Sequence, residues 1–82
     1  MRIEWQPRAL KDLGRLDRGA QKRVLDALER LATTGEGDIR RLVDVDPPEY
    51  RLRVGDWRIR LMLDPQAGVL AVLRVLRRDK AY

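Results

Sequence analysis

The chain has 82 residues, enough for one domain around one small core. It contains neither cysteine nor histidine, which excludes disulfides, thiol nucleophiles, thiolate metal sites and any imidazole ligand or base. Charged residues make up 38% and the net charge is +5, yet residues 1–49 hold as many acids as bases, so the whole excess falls in residues 50–82.

Seven of the eight cations in that second stretch are arginines, the side chain suited to bidentate phosphate contact. The placement points to a nucleic-acid or acidic-protein partner. The N-terminus lacks the apolar core of a signal peptide, and no apolar run approaches the roughly 20 residues that span a bilayer. A cytoplasmic protein with no membrane partner is expected.

Residues 2–5 read as a short strand, with Ile3 and Trp5 on one face. Pro7 suits the first position of a helix, where its missing N–H costs nothing. Leu10, Leu13 and Leu16 give that helix an apolar stripe up to about Leu16. Asp17 is an N-cap for a second helix, whose Val24, Leu25, Leu28, Leu31 and Ala32 repeat with the period of one buried face. Thr33-Thr34-Gly35-Glu36-Gly37 ends it. The very short connection predicts an antiparallel helical hairpin, with the helix acids on a solvated face.

Between 38 and 49, Ile39, Leu42 and Val43 are the apolar anchors, and Pro47-Pro48 forces an extended approach to Tyr50. Residues 50–60 then alternate strictly between apolar residues and arginines around Gly55-Asp56, a two-residue hairpin turn. That turn sets Val54 opposite Trp57, Leu52 opposite Ile59, Arg53 opposite Arg58 and Arg51 opposite Arg60. The strands run roughly 49–54 and 57–63. Asp64–Gly68 is a turn, and Val69–Leu76 is a third strand, apolar on both faces as in the middle of a covered sheet. The predicted fold is α+β in the order β-α-α-β-β-β, a single domain over residues 1–82 with both helices on one face of an antiparallel sheet.

Like charges directly opposed across a sheet are destabilising, so four arginines held together call for a polyanion. The candidate site is the face opposite the helices: Arg51, Arg53, Arg58 and Arg60, extended by Arg77, Arg78, Lys80 and Tyr82 after the last strand. Arginine stabilises developing negative charge but is a poor proton acceptor. Cleavage of RNA by its own 2′-OH needs positioning, charge stabilisation and proton transfer, with neither metal nor cofactor. Trp5 and Trp57 read as core. Arg74 is expected to pair with an acid such as Asp64. Lys11, Lys22 and Arg23 offer a basic helix surface.

Over nearly its whole length the chain resembles the RelE/ParE superfamily of toxin–antitoxin toxins. The resemblance rests on Arg8–Leu13 with Gln21–Leu25, on Tyr50–Arg58, which is its most specific part, and on Val72–Tyr82. It implies a RelE-like fold and a ribosome-dependent endoribonuclease that cuts mRNA and is held inactive by an antitoxin. It further implies that Arg51 and Arg53 hold RNA phosphates, that Arg58 contacts the scissile phosphate, that Arg78 stabilises the transition state or protonates the leaving group, and that Tyr82 stacks on a base and assists the 2′-OH. The chain departs from the family pattern in having arginine where some members have lysine at 51 and 53, Trp57 for tyrosine, Arg60-Leu61 for Ile-Tyr, and Arg77 for histidine. Two other readings stay open: a ParE-like inhibitor of DNA gyrase without nuclease activity, and a non-catalytic RNA or ribosome binder.

Overall fold

The computed structural model describes residues 1–80; Tyr82, assigned to the site from sequence, lies outside the described residues. Seven elements follow in order: β1 (Arg2–Trp5), α1 (Pro7–Gly14), α2 (Arg18–Thr34), β2 (Ile39–Arg41), β3 (Tyr50–Val54), β4 (Trp57–Asp64) and β5 (Val69–Arg77). The strands form one sheet in the order β1-β5-β4-β3-β2. This is the expected α+β fold with two differences. Ile39–Arg41 is a further strand, paired antiparallel to β3, and β1 runs parallel to β5, so the sheet is mixed.

The helix signals act where the sequence places them. Pro7 opens α1, and the Asp17 carboxylate accepts the Ala20 N–H at 2.7 Å to cap α2. Gly35 ends α2 in the left-handed conformation (φ 77°), its N–H donating to the Leu31 carbonyl. The Gln21 amide donates to the Leu13 carbonyl and ties the two helices together. From α2, Ala20, Val24, Leu28, Leu31 and Ala32 meet Leu52, Ile59, Leu61, Leu70, Val72 and Val75 of the sheet to make the core. Trp5 and Trp57 are half-buried and pack against it.

Three apolar residues assigned inward turn out instead. Leu10 and Leu25 are about half exposed, and Val43 is 81% exposed on the loop after β2. For α1 the reason is a shifted stripe: Ala9, Asp12, Leu13 and Leu16 face the protein, and an acid in the middle of that stripe conceals it from a hydrophobicity count.

Asp12 has a specific task. β1 stops pairing with β5 at Trp5↔Val72, and opposite β4 the register slips so that Arg60 meets Arg74 while Leu61 meets Val72. The slip leaves Leu73 as the extra residue of a β-bulge. Asp12 reaches this exposed stretch from α1: Oδ2 accepts the Val75 N–H at 2.9 Å and Arg74 Nε at 2.8 Å, and Oδ1 accepts Arg74 Nη2 at 3.3 Å. A helix acid, expected in solvent, is therefore buried, and Arg74 pairs with Asp12, not Asp64.

Burial works against the Asp12 charge, but the hydrogen bonds from Arg74 and Val75 outweigh it and hold the carboxyl below its ordinary pKa. Asp12→Asn should lower unfolding free energy by about 2 kcal/mol, less than for a fully buried pair because Arg74 keeps some exposure. Because the folded pKa is depressed, this contribution is complete above the ordinary carboxylate value near 4 and fades as pH falls through the folded pKa. Urea unfolding of wild type and D12N should show a gap that is constant at neutral pH and closes in acid.

Candidate nucleic-acid interface

The hairpin at Gly55-Asp56 (Gly55 φ 56°) has the register read from the sequence: Val54↔Trp57, Arg53↔Arg58, Leu52↔Ile59, Arg51↔Arg60 and Tyr50↔Leu61. Alternation sends Leu52, Ile59 and Leu61 into the core and sends Arg51, Arg53, Arg58 and Arg60 to the face away from the helices. The strand missed from sequence adds a fifth cation, because Arg40 on β2 stands opposite Arg51. Arg40, Arg51, Arg60 and Arg74 thus form one continuous row across β2, β3, β4 and β5.

The row is not uniform. Arg74 belongs to Asp12. Arg60 is held by Glu49, whose Oε2 accepts from Nε at 3.0 Å and from Nη2 at 2.6 Å, with the carboxylate only 15% exposed. The remaining cations, Arg40, Arg51, Arg53 and Arg58, line a small cleft of about 80 Å³ with Asp38 as its one carboxylate. Asp38 lies 3.8 Å from Arg53 Nε, a loose and solvent-screened pair.

Arg58 is the unusual member. It is 7% exposed, and its Nη1 donates to the Gly55 carbonyl at 2.7 Å and the Trp57 carbonyl at 2.9 Å, folding the guanidinium back over the turn. Its Nε is buried without a hydrogen-bond partner. An orphaned charged donor inside a protein is costly.

The post-strand residues divide between two sides. Arg78 donates its backbone N–H to the Asp56 carbonyl at 2.9 Å, which pins it beside the turn that carries Arg58. Arg77 pairs in register with Trp57, its guanidinium 5.7 Å from the indole centroid, and so leaves from the opposite side of the sheet. Lys80 lines a groove on that same side with Trp57 and Arg77. Arg77 therefore does not join the cleft, because strand alternation sends it to the Trp57 face, and the turn after β5 carries Lys80 to the same groove. The sequence reading missed Arg40 and Asp38; the signal that carries them is the alternation Asp38-Ile39-Arg40, with Ile39 inward, too short to be read as a strand alone.

No group of three or more potential metal ligands comes together among the described residues. No described helix is long and apolar enough to cross a membrane.

Opposed arginines should cost the fold something. Arg40 is exposed on the edge strand and faces Arg51, so Arg40→Thr should raise unfolding free energy by about 0.5 kcal/mol. Urea unfolding would show the gain, and high salt should erase it.

The fold matches solved toxin structures along its length. One is the archaeal RelE–RelB complex from Pyrococcus horikoshii OT3, with a TM-score of 0.81, 22% identity, and 98% of this chain and 97% of that one covered. Another is a metal-bound toxin from Helicobacter pylori, with a TM-score of 0.82, 17% identity, and 100% and 99% covered. The isolated E. coli RelE toxin aligns with a TM-score of 0.75 at 15% identity, over 93% and 82%. At such identities the likeness establishes the fold. A search of curated proteins found no match. The sequence itself matches the family described as ParE toxin of type II toxin-antitoxin system, parDE, over residues 3–82. With nearly its whole length inside that match, the chain belongs to the ParE toxin family, within the RelE/ParE superfamily of type II toxins.

Proposed function

We propose that this toxin acts by binding RNA phosphates in the cleft of Arg40, Arg51, Arg53 and Arg58, and that it cleaves mRNA on the ribosome, inhibiting translation until an antitoxin protein covers the same face. The observation that carries this reading is Arg58, a buried arginine with an unpartnered Nε, set among other cations. Guanidinium groups fixed around one cleft suit a pentacoordinate phosphate, whose extra negative charge they would stabilise. Arg51 and Arg53 would position the flanking phosphates, Arg58 the scissile one, and Arg78, beside the turn, the charge of the transition state. Arg60 is engaged by Glu49 and would take part only by exchanging that carboxylate for phosphate. Arg77 and Lys80, on the other side of the sheet, would meet RNA only as it leaves the cleft.

Proton transfer is the demanding step. A chain without histidine leaves Tyr82, Lys80 and carboxylates as candidates, and Asp38 is the carboxylate that lines the cleft. We assign the 2′-OH proton to Tyr82 or Asp38, and their separate substitution distinguishes them. The antitoxin role of the partner follows from the family and from the solved complexes of toxins of this fold with RelB-type antitoxins. An acidic segment would neutralise the opposed arginines as RNA does.

A second reading is a ParE-like block of DNA gyrase, without cleavage. Its support is membership of the ParE toxin family and a cleft that, among the described residues, holds no strong base.

Arg58→Ala and Arg78→Ala should each abolish cleavage of mRNA on programmed ribosomes, by at least about a hundredfold as for other charge-stabilising groups. Arg58 also braces the turn, so exposed Arg53→Ala serves as the variant that spares the fold; it should weaken cleavage through binding. Wild-type cleavage in all three would overturn the assignment. Inhibition of gyrase supercoiling by wild-type protein, with ribosome-bound mRNA left intact, would establish the second reading.

A further inference from the structure

We infer that the groove between α1 and the far half of β5 is a second polyanion site, which binds the phosphate backbone of a duplex nucleic acid. It lies at the α1–β5 end of the sheet, away from the arginine cleft at the β2–β3 end, and shares no lining residue with it.

The charges of α1 are the starting point. Arg8, Lys11 and Arg15 recur at i, i+3 and i+7 and share one helix face. The only acid of α1 is Asp12, and it is buried and consumed by Arg74 and the Val75 N–H. The next helix shows the contrast: on α2, Lys22 meets Asp26 at 2.9 Å, and Arg30 meets Glu36, just past the helix end, at 2.7 Å. On α1, among the described residues, Arg15 has only the Asp12 carboxylate nearby, which Arg74 already engages. Arg8 and Lys11 make no ion pair or side-chain hydrogen bond among the described residues.

Tertiary structure then extends the charge. Lys80 and Arg77, the latter 3.8 Å from Asp79, arrive from β5 and the turn after it, and two adjoining hollows of about 220 and 230 Å³ share Arg15 and the neutralised Asp12–Arg74 pair as walls. Together they make one groove: Arg8, Lys11 and Arg15 along one bank, and Trp57 with Arg77 stacked over it at the end. From Arg8 to Arg15 the helix rises about 10 Å, the axial length of about three base pairs. A line of regularly spaced cations, most of them guanidinium, fits a repeating row of phosphates and favours a nucleic acid over a carboxylate-bearing peptide. Arg77 ends the groove where Arg78, its neighbour in the chain, is tied to the turn of the cleft, so a bound duplex would lie at the rim of the first site.

The test is fluorescence anisotropy of the full chain with a short labelled duplex, as RNA in one arm and as DNA of the same sequence in the other. The exposed triple variant Arg8→Gln/Lys11→Gln/Arg15→Gln should keep the wild-type unfolding midpoint. Its slope of log affinity against log salt should fall by about two to three, since each phosphate contact contributes roughly 0.9. Arg53→Ala, in the cleft, should leave that groove-dependent loss intact, and single-stranded RNA binding by Arg53→Ala reports on the cleft separately. The tighter arm identifies the source of the backbone. An unchanged slope on both duplexes would overturn the proposal. So would polyglutamate binding more tightly than either duplex and losing its affinity in the same triple variant.

Discussion

The two-residue turn at Gly55-Asp56 sets the register of β3 against β4, and every feature of the cleft depends on that register. Shifting it by one residue would turn Leu52 and Ile59, both buried, out to solvent and bring arginines into the core. Each such aliphatic side chain is worth about 1.5–3 kcal/mol on burial, whereas opposed like charges cost a fraction of about 1 kcal/mol per pair. The apolar face therefore wins, and the arginines are held together against their repulsion. A cation cluster that the core enforces is preformed, so an anion binding there would not have to gather the charges.

A second constraint shapes the charge distribution. Where β1 ends, β5 would expose backbone donors at its bulge, and α1 covers them with Asp12. One carboxylate thereby docks a helix, fixes Arg74 and leaves the remaining charges of α1 uniformly positive. Glu49 plays the corresponding part for Arg60. Internal acids thus divide the row: Glu49 engages Arg60 and Asp12 engages Arg74, while Arg40 and Arg51 at the β2–β3 end line the cleft.

This selection bears on chemistry. The cleft is rich in groups that stabilise negative charge and poor in groups that accept a proton. In the proposed reaction the cleft itself supplies charge stabilisation, and Tyr82 or Asp38 would take the proton. A gyrase-directed toxin would need no proton transfer, which is why the cleavage and supercoiling assays separate the two readings cleanly.

Much of the architecture was legible in the residues themselves. Pro7, Asp17, Gly35 and the Gly55-Asp56 turn act through local backbone chemistry, and the alternation of residues 50–60 determines both the hairpin register and the face its arginines share. Local rules could not reach β2, three residues long and stabilised by its pairing with β3. Arg40 and Asp38 entered the cleft through that pairing. The inward turn of Asp12, the exposure of Leu10 and Val43, and the departure of Arg77 and Lys80 to the Trp57 side likewise depend on contacts between distant segments. Sequence by itself determined the elements, the hairpin and the family resemblance, because these arise from neighbours along the chain. Only the tertiary structure decided which cations keep a free face, because the acids that neutralise Arg74 and Arg60 come from elsewhere in the chain: Asp12 is 62 residues away from its partner and Glu49 is 11.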